Sequence, residues 1–111
     1  MDKVRTYQKI LLEFLEEYVA FYGQNDLIET QILADNERHH YQLQRVGWNG
    51  EKYLHYCVFH FDIKNEKIWI QENRTDTDIA EELVQKGIPK SDIVLGLQPP
   101  YARAYTGYAV A

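Results

Sequence analysis

The sequence predicts an α+β fold in a single domain spanning residues 1–111. Three observations lead there: helical apolar spacing at the N-terminus, a change to period two that holds to about residue 72, and helix signals resuming near residue 75. The expected order is an N-terminal amphipathic helix, a four-stranded antiparallel meander sheet, a second helix and an irregular C-terminal arm.

The first helix is expected over residues 2–22, where Val4, Tyr7, Ile10, Leu11, Phe14, Leu15, Tyr18 and Tyr22 recur at intervals of three and four. Its other face carries Lys3, Arg5, Lys9, Glu13, Glu16 and Glu17 and reads as a solvated surface. A break at residues 23–26 follows. Ile28, Thr30, Ile32 and Ala34 then alternate along one side of a first strand.

Asp35-Asn36-Glu37 reads as a turn, and residues 39–48 as a second strand. Its apolar set shifts from Tyr41 and Leu43 to Val46 and Trp48, which predicts a bulge near Arg45 or Gly47. Asn49-Gly50 is the strongest hairpin signal, since both residues tolerate the positive φ of a tight turn. Residues 53–63 form the third strand, Lys64-Asn65-Glu66 turns the chain again, and residues 67–72 form the fourth. The third strand is apolar on both sides, with Cys57, Phe59, Phe61 and Ile63 opposing Leu54, Tyr56 and Val58, so both faces of the sheet are expected to be covered.

Thr75 is placed to cap a second helix over residues 76–86, which Gly87 ends and Pro89 keeps from resuming. The remaining residues, 88–111, hold Ile93, Val94, Leu95 and Leu97 among their glycines and prolines, a composition that packs as an arm rather than staying unstructured.

Composition narrows the function. At 45% hydrophobic and 26% charged residues the chain has the makings of a folded domain, and 111 residues suffice for one core. Seventeen acidic against twelve basic residues leave a net charge of −5, which argues against strong direct binding to nucleic acid. A local basic patch from Arg38, Arg45, Lys52 and Lys64 is the one route around that argument. The single cysteine, Cys57, reads as a small buried hydrophobe in a reducing compartment, and no signal or membrane-spanning segment is evident, so a cytoplasmic protein is expected.

No catalytic cluster emerges. His39 and His40 are adjacent on a strand, and His55 and His60 are separated by an odd number, so each pair points to opposite faces. Cys57 shares a face with His55 but lacks a third donor, so neither a metal nor a cofactor is expected. A Cys–His nucleophile pair is disfavoured by the apolar setting of Cys57. One enzymatic alternative is a metal-dependent nuclease subunit in which Glu51, Asp62 and Lys64 hold Mg²⁺ and position water. Phosphate-loop, dinucleotide, nucleophile-elbow and zincin motifs are absent from the sequence. Tyr101, Tyr105 and Tyr108, with Arg103 among them, read as residues sealing the arm onto the domain.

The chain resembles the XisI family over nearly its whole length. The resemblance is carried by the opening Met1-Asp2-Lys3 with Tyr7, Ile28-Glu29-Thr30, Val46-Gly47-Trp48-Asn49-Gly50 and Lys67-Ile68-Trp69-Ile70-Gln71. Further on it rests on Ile79-Ala80-Glu81-Glu82-Leu83-Val84, Gly87-Ile88-Pro89-Lys90, Asp92-Ile93-Val94-Leu95-Gly96, Pro99-Pro100, Tyr105-Thr106 and Ala109-Val110-Ala111. It implies an accessory factor controlling excision of a DNA element of the fdxN type in cyanobacteria, working with a XisH-type companion protein. It implies no active site at these positions.

The expectation is therefore a binding regulator rather than an enzyme, docking through a sheet face or the arm with Trp48, Trp69, Tyr101 and Tyr105 as anchors. A homodimer closed over the second apolar face is the remaining alternative.

Overall fold

A computed structural model describes residues 2–22 and 27–111; the break expected at residues 23–26 lies outside the described residues. Helix α1 (Lys3–Tyr22) opens where the Asp2 carboxylate accepts the backbone N–H of Val4 at 3.1 Å. It buries Tyr7, Ile10, Leu11, Phe14 and Leu15, the stripe that the spacing predicts. Leu11 and Leu15 are fully buried, each contributing ~1.5–3 kcal/mol of apolar transfer free energy. Two of its outward charges are paired: Lys3 with Asp92 at 3.1 Å, and Glu17 with Lys86.

Strands β1 (Ile28–Asp35), β2 (His40–Asn49), β3 (Lys52–Lys64) and β4 (Lys67–Asn73) pair antiparallel in chain order, as the meander requires. The sheet is nevertheless five-stranded and mixed, because a short β5 (Ile93–Val94) runs parallel to β4 along its free edge. That strand escaped sequence reading because two residues show no period. It is held in place by Asp92, whose carboxylate is hydrogen-bonded by the buried Tyr7 hydroxyl and ion-paired to Lys3.

The hairpins differ in detail from expectation. In the β2–β3 loop Asn49 pairs with Lys52, so the loop residues are Gly50 and Glu51. Gly50, at φ +66°, supplies the left-handed backbone at the first loop position. In the β3–β4 loop Lys64 pairs with Lys67, and Asn65 and Glu66 both take positive φ, 53° and 60°. Asn tolerates this conformation; Glu does so at a cost of ~1–2 kcal/mol.

The decisive irregularity lies in β3. Leu43 pairs with Phe59 but Gln44 pairs with Cys57, so Val58 is an extra residue. The bulge expected near Arg45 or Gly47 of β2 is thus in the partner strand, and β2 alternates without a switch. A second shift makes Gln71 the extra residue of β4, since Phe61 pairs with Ile70 and His60 with Glu72. The Val58 bulge brings Tyr56 and Val58 onto the same side as Phe59, Phe61 and Ile63, against α1. Phe14 meets Phe59 and Phe61 edge-on at centroid distances of 5.4 and 5.8 Å, and Tyr18 meets Phe59 at 4.8 Å. The expectation of two apolar faces is therefore corrected: one face of β3 takes nearly all its apolar residues.

Helix α2 (Ile79–Gln85) joins α1 on that face, adding Ile79, Ala80 and Leu83 to the core. It starts three residues later than the sequence suggests, with Asp78 rather than Thr75 accepting the capping N–H, from Glu81 at 3.2 Å. Thr75 instead bonds Asn73 Oδ1 through its hydroxyl and backbone N–H at 2.7 and 2.9 Å. Gly87, at φ +108°, ends the helix: Ile88 N–H reaches Leu83 C=O and Gly87 N–H reaches Val84 C=O, while Ile88 is buried beside Leu83. The arm then passes through a single 3₁₀ turn (Lys90–Asp92), β5 and a four-residue helix α3 (Pro100–Arg103), and Ala109 returns to bridge Val94. Among the described residues no helix is long and apolar enough to cross a membrane.

Candidate functional site

With α1 and α2 packed on one side, the other side of the sheet is lined mainly by polar and aromatic side chains, with Leu33 and Val46 among them. Directly opposed residues on neighbouring antiparallel strands share a face. The pairing row Asp35, His40, Asp62 and Trp69 therefore crosses four strands on this open face, and Gln42 with His60 lies one row along.

At its centre Asp62 is buried, and its carboxylate has three partners. Oδ1 lies 2.7 Å from His40 Nδ1 and 2.9 Å from His60 Nε2, while Oδ2 accepts Gln71 Nε2–H at 3.2 Å. Burial alone would raise the Asp62 pKa, but the hydrogen bonds from His40 and His60 and the nearby imidazole charge outweigh it, and the net shift is downward. No Lys or Arg claims this carboxylate among the described residues. Gln71 is seated by Gly96: a Cβ there would lie 2.4 Å from Gln71 Oε1 and 3.1 Å from the Trp69 ring.

The expectation that His55 and His60 point to opposite faces is corrected. His55 pairs with Val46 and His60 with Gln42, four residues apart on β2, so the bulge at Val58 has returned both to one face. A readable sign of this exists in the sequence: the apolar pair Val58-Phe59 joins two alternating runs of opposite phase.

Trp69 borders the cluster, half-buried, with Lys64 Nζ 4.5 Å and the Arg103 guanidinium 5.1 Å from its ring centroid. Arg103 also donates to Gln98 C=O at 3.1 Å and Gly96 C=O at 3.3 Å, so it ties the arm to the sheet face. Trp48 lies on the same face at the hairpin end, eight residues along β2 from His40, a separation of ~26 Å. It is 59% exposed and packs on Tyr53 at 5.1 Å, with His55 stacked beyond. Tyr101 and Tyr105 are 81% and 90% exposed, so they do not seal the arm; Tyr108 alone of the three packs against the core. The four expected anchors thus fall at two ends of the open face and on the arm beside one of them.

The alternative residues are not gathered. Glu51 sits in the β2–β3 loop, while Asp62 and Lys64 lie at the far end of the strand, ~33 and ~40 Å away. The candidate basic patch is equally dispersed: Arg38 pairs with Asp35 at 3.4 Å, Arg45 lies on the helix-facing side opposite Tyr56, and Lys52 and Lys64 mark opposite ends of β3. Cys57 donates its S–H to Phe59 C=O at 3.0 Å, and burial, with Glu72 nearby, pushes its pKa up, away from nucleophilic use.

The sequence pattern of the XisI protein family matches residues 1–110. This chain belongs to the XisI family. Among solved structures, a XisI-like protein from Anabaena variabilis ATCC 29413 superposes with a TM-score of 0.93 at 48% identity, covering 97% of this chain and 99% of its own. The fdxN element excision controlling factor XisI from the same organism superposes with a TM-score of 0.88 at 32% identity, covering 99% and 100%. No curated protein matches significantly. The five-stranded sheet and its helical layer are thus the XisI fold, and Trp69, Gln71 and Gly96, which meet around Asp62, come from three of the positions on which the resemblance rests.

Proposed function

We propose that this XisI-family protein is a non-catalytic accessory factor that controls excision of an fdxN-type DNA element by docking on a XisH-type companion protein in the cytoplasm. The observation that carries this reading is the end-to-end match with a protein described as an fdxN element excision controlling factor, at 32% identity over 99% of this chain.

Three features support the docking half. The net charge of −5 and the scattered basic residues suit a protein partner better than a phosphate backbone. The open sheet face offers Trp48 at one end and Trp69 at the other, both aromatic anchors of the kind that dominate interfaces. Tyr101 and Tyr105 extend the Trp69 end along the arm, and their exposure is left unexplained by folding.

Size-exclusion chromatography with light scattering on the protein alone, on the companion alone and on their mixture tests the reading, followed by a DNA shift assay on each species. The expected result is a mixed complex, lost or weakened at least tenfold by a Trp48→Ala, Tyr101→Ala and Tyr105→Ala triple variant. Absence of a complex, with DNA binding or cleavage by the protein alone, would overturn it; a homodimer indifferent to the companion would overturn the docking half and leave the excision role to be explained otherwise.

A further inference from the structure

We propose that His40, His60 and Asp62 form a binding site for a divalent transition-metal ion of the zinc class on the open face of the sheet. His40 Nδ1, His60 Nε2 and an Asp62 carboxylate oxygen all lie within 4.8 Å of one another. Two imidazole nitrogens and one carboxylate oxygen are a donor set that zinc, cobalt(II) and nickel(II) accept and that magnesium and calcium, which prefer all-oxygen sites, do not.

The arrangement has the parts of a metal site beyond its donors. Both imidazoles aim at one carboxylate oxygen, Oδ1, so their lone pairs converge when the N–H protons are displaced. Ligands held ~2.0–2.2 Å from a tetrahedral ion lie ~3.3 Å from one another, so the present N···O separations of 2.7 and 2.9 Å need to open by only about half an ångström. The second carboxylate oxygen is held by Gln71, whose own seat is the space that Gly96 leaves empty, an outer hydrogen bond of the type that orients metal-bound carboxylates. The two nearby cations, Lys64 and Arg103, are turned onto the Trp69 ring instead of onto Asp62. The His40 side chain is 52% exposed, so the outer side of the cluster is open to a fourth ligand such as water.

A carboxylate satisfied only by hydrogen bonds from two imidazoles is the competing account, and metal titration separates the two. Full-length protein stripped with EDTA and dialysed is titrated calorimetrically with zinc chloride, and in parallel with cobalt chloride, whose visible absorption reports tetrahedral nitrogen and oxygen ligation. Uptake of one equivalent is expected, with a rise in Tm. His40→Ala and His60→Ala should each weaken binding by more than a hundredfold, Gln71→Ala by ~10-fold, and His55→Ala, on the same face but outside the cluster, not at all.

Far-ultraviolet circular dichroism establishes that each variant is folded, and His40→Gln, at a half-exposed position, provides a second variant that keeps polarity and removes the ligand. No uptake, uptake that persists in His40→Gln and His60→Ala, or equal affinity for magnesium would each overturn the site. The test needs no companion protein, so its failure leaves the excision reading untouched.

Discussion

Replacing Asp62 by Asn, in EDTA, tests how the open face is held together. The substitution preserves shape and one acceptor oxygen but removes the charge that two imidazoles and the Gln71 amide now share. If the amide oxygen keeps the Oδ1 position, both histidine bonds survive as neutral ones, and the new NH₂ faces the Gln71 NH₂, which must turn over. A hydrogen bond to a charged group contributes ~1.5–3 kcal/mol against ~0.5–1.5 for a neutral one, so losing charge assistance costs about 1 kcal/mol per bond. The His40 bond is discounted because that side chain is half exposed, which leaves a total of ~2 kcal/mol.

For a domain of this size that corresponds to a fall in Tm of ~8–15 °C. Thermal melts followed by circular dichroism measure it, and a cycle with His60→Ala isolates the histidine share, for which a coupling of ~1 kcal/mol is expected. A fall in Tm below ~2 °C, or strict additivity with His60→Ala, would refute the view that a charged carboxylate organises this face.

Glu66 stands at φ 60° in the β3–β4 loop, so Glu66→Gly should raise stability by ~0.5–1 kcal/mol, the relief of the left-handed backbone less the entropy that glycine adds to the unfolded chain, read as a higher urea midpoint. The Asp92 pKa is raised by burial but lowered more by the hydrogen bonds from Tyr7 and Lys3 and by the charges of Lys3 and Lys67, for a net downward shift. Its stabilising contribution is therefore complete above the ordinary carboxylate value, ~3.9, and is lost as pH falls through the folded one. Tyr7→Phe removes one of those bonds, returns Asp92 toward the ordinary value and should move acid unfolding to higher pH, as melts at successively lower pH would show. Trp69→Ala removes the ring against which Lys64 and Arg103 rest and should cost ~1–2 kcal/mol while leaving the protein folded, because Trp69 lies outside the buried core cluster. Hydrogen exchange should rise along the arm first, and, on the proposed docking, binding of a XisH-type companion should weaken at least tenfold.

Elements whose signal is periodic were legible from the sequence. The α1 stripe, four strands in meander order and the glycine that ends α2 all appear where local spacing and backbone chemistry place them. The candidate site was not, and the reason is a single residue. Period-two reasoning assigns a face to each side chain by counting along the strand, and one extra residue inverts every assignment beyond it. Counting from the Asn49–Lys52 pair through Val58 divides His55 from His60, assigns apolar residues to both faces of β3 and sets His40 opposite Phe61 in place of Asp62; with Val58 bulged, the apolar residues gather under α1 and His40 meets His60 and Asp62 over the sheet.

The same bulge accounts for the character of the two faces together. A strand whose apolar residues truly alternated would have required a second covering layer, and the arm is too short to supply one beyond the β4 edge. Instead the arm reaches over only as far as Trp69 and Gln71, fixing the carboxylate that the histidines meet and leaving the rest of the face, from His40 to Trp48, uncovered. A face that is polar at its centre and aromatic at its ends needs no apolar lid to stay in water. It can therefore be presented free to solvent and covered reversibly by another protein, which is what the proposed docking on a companion requires.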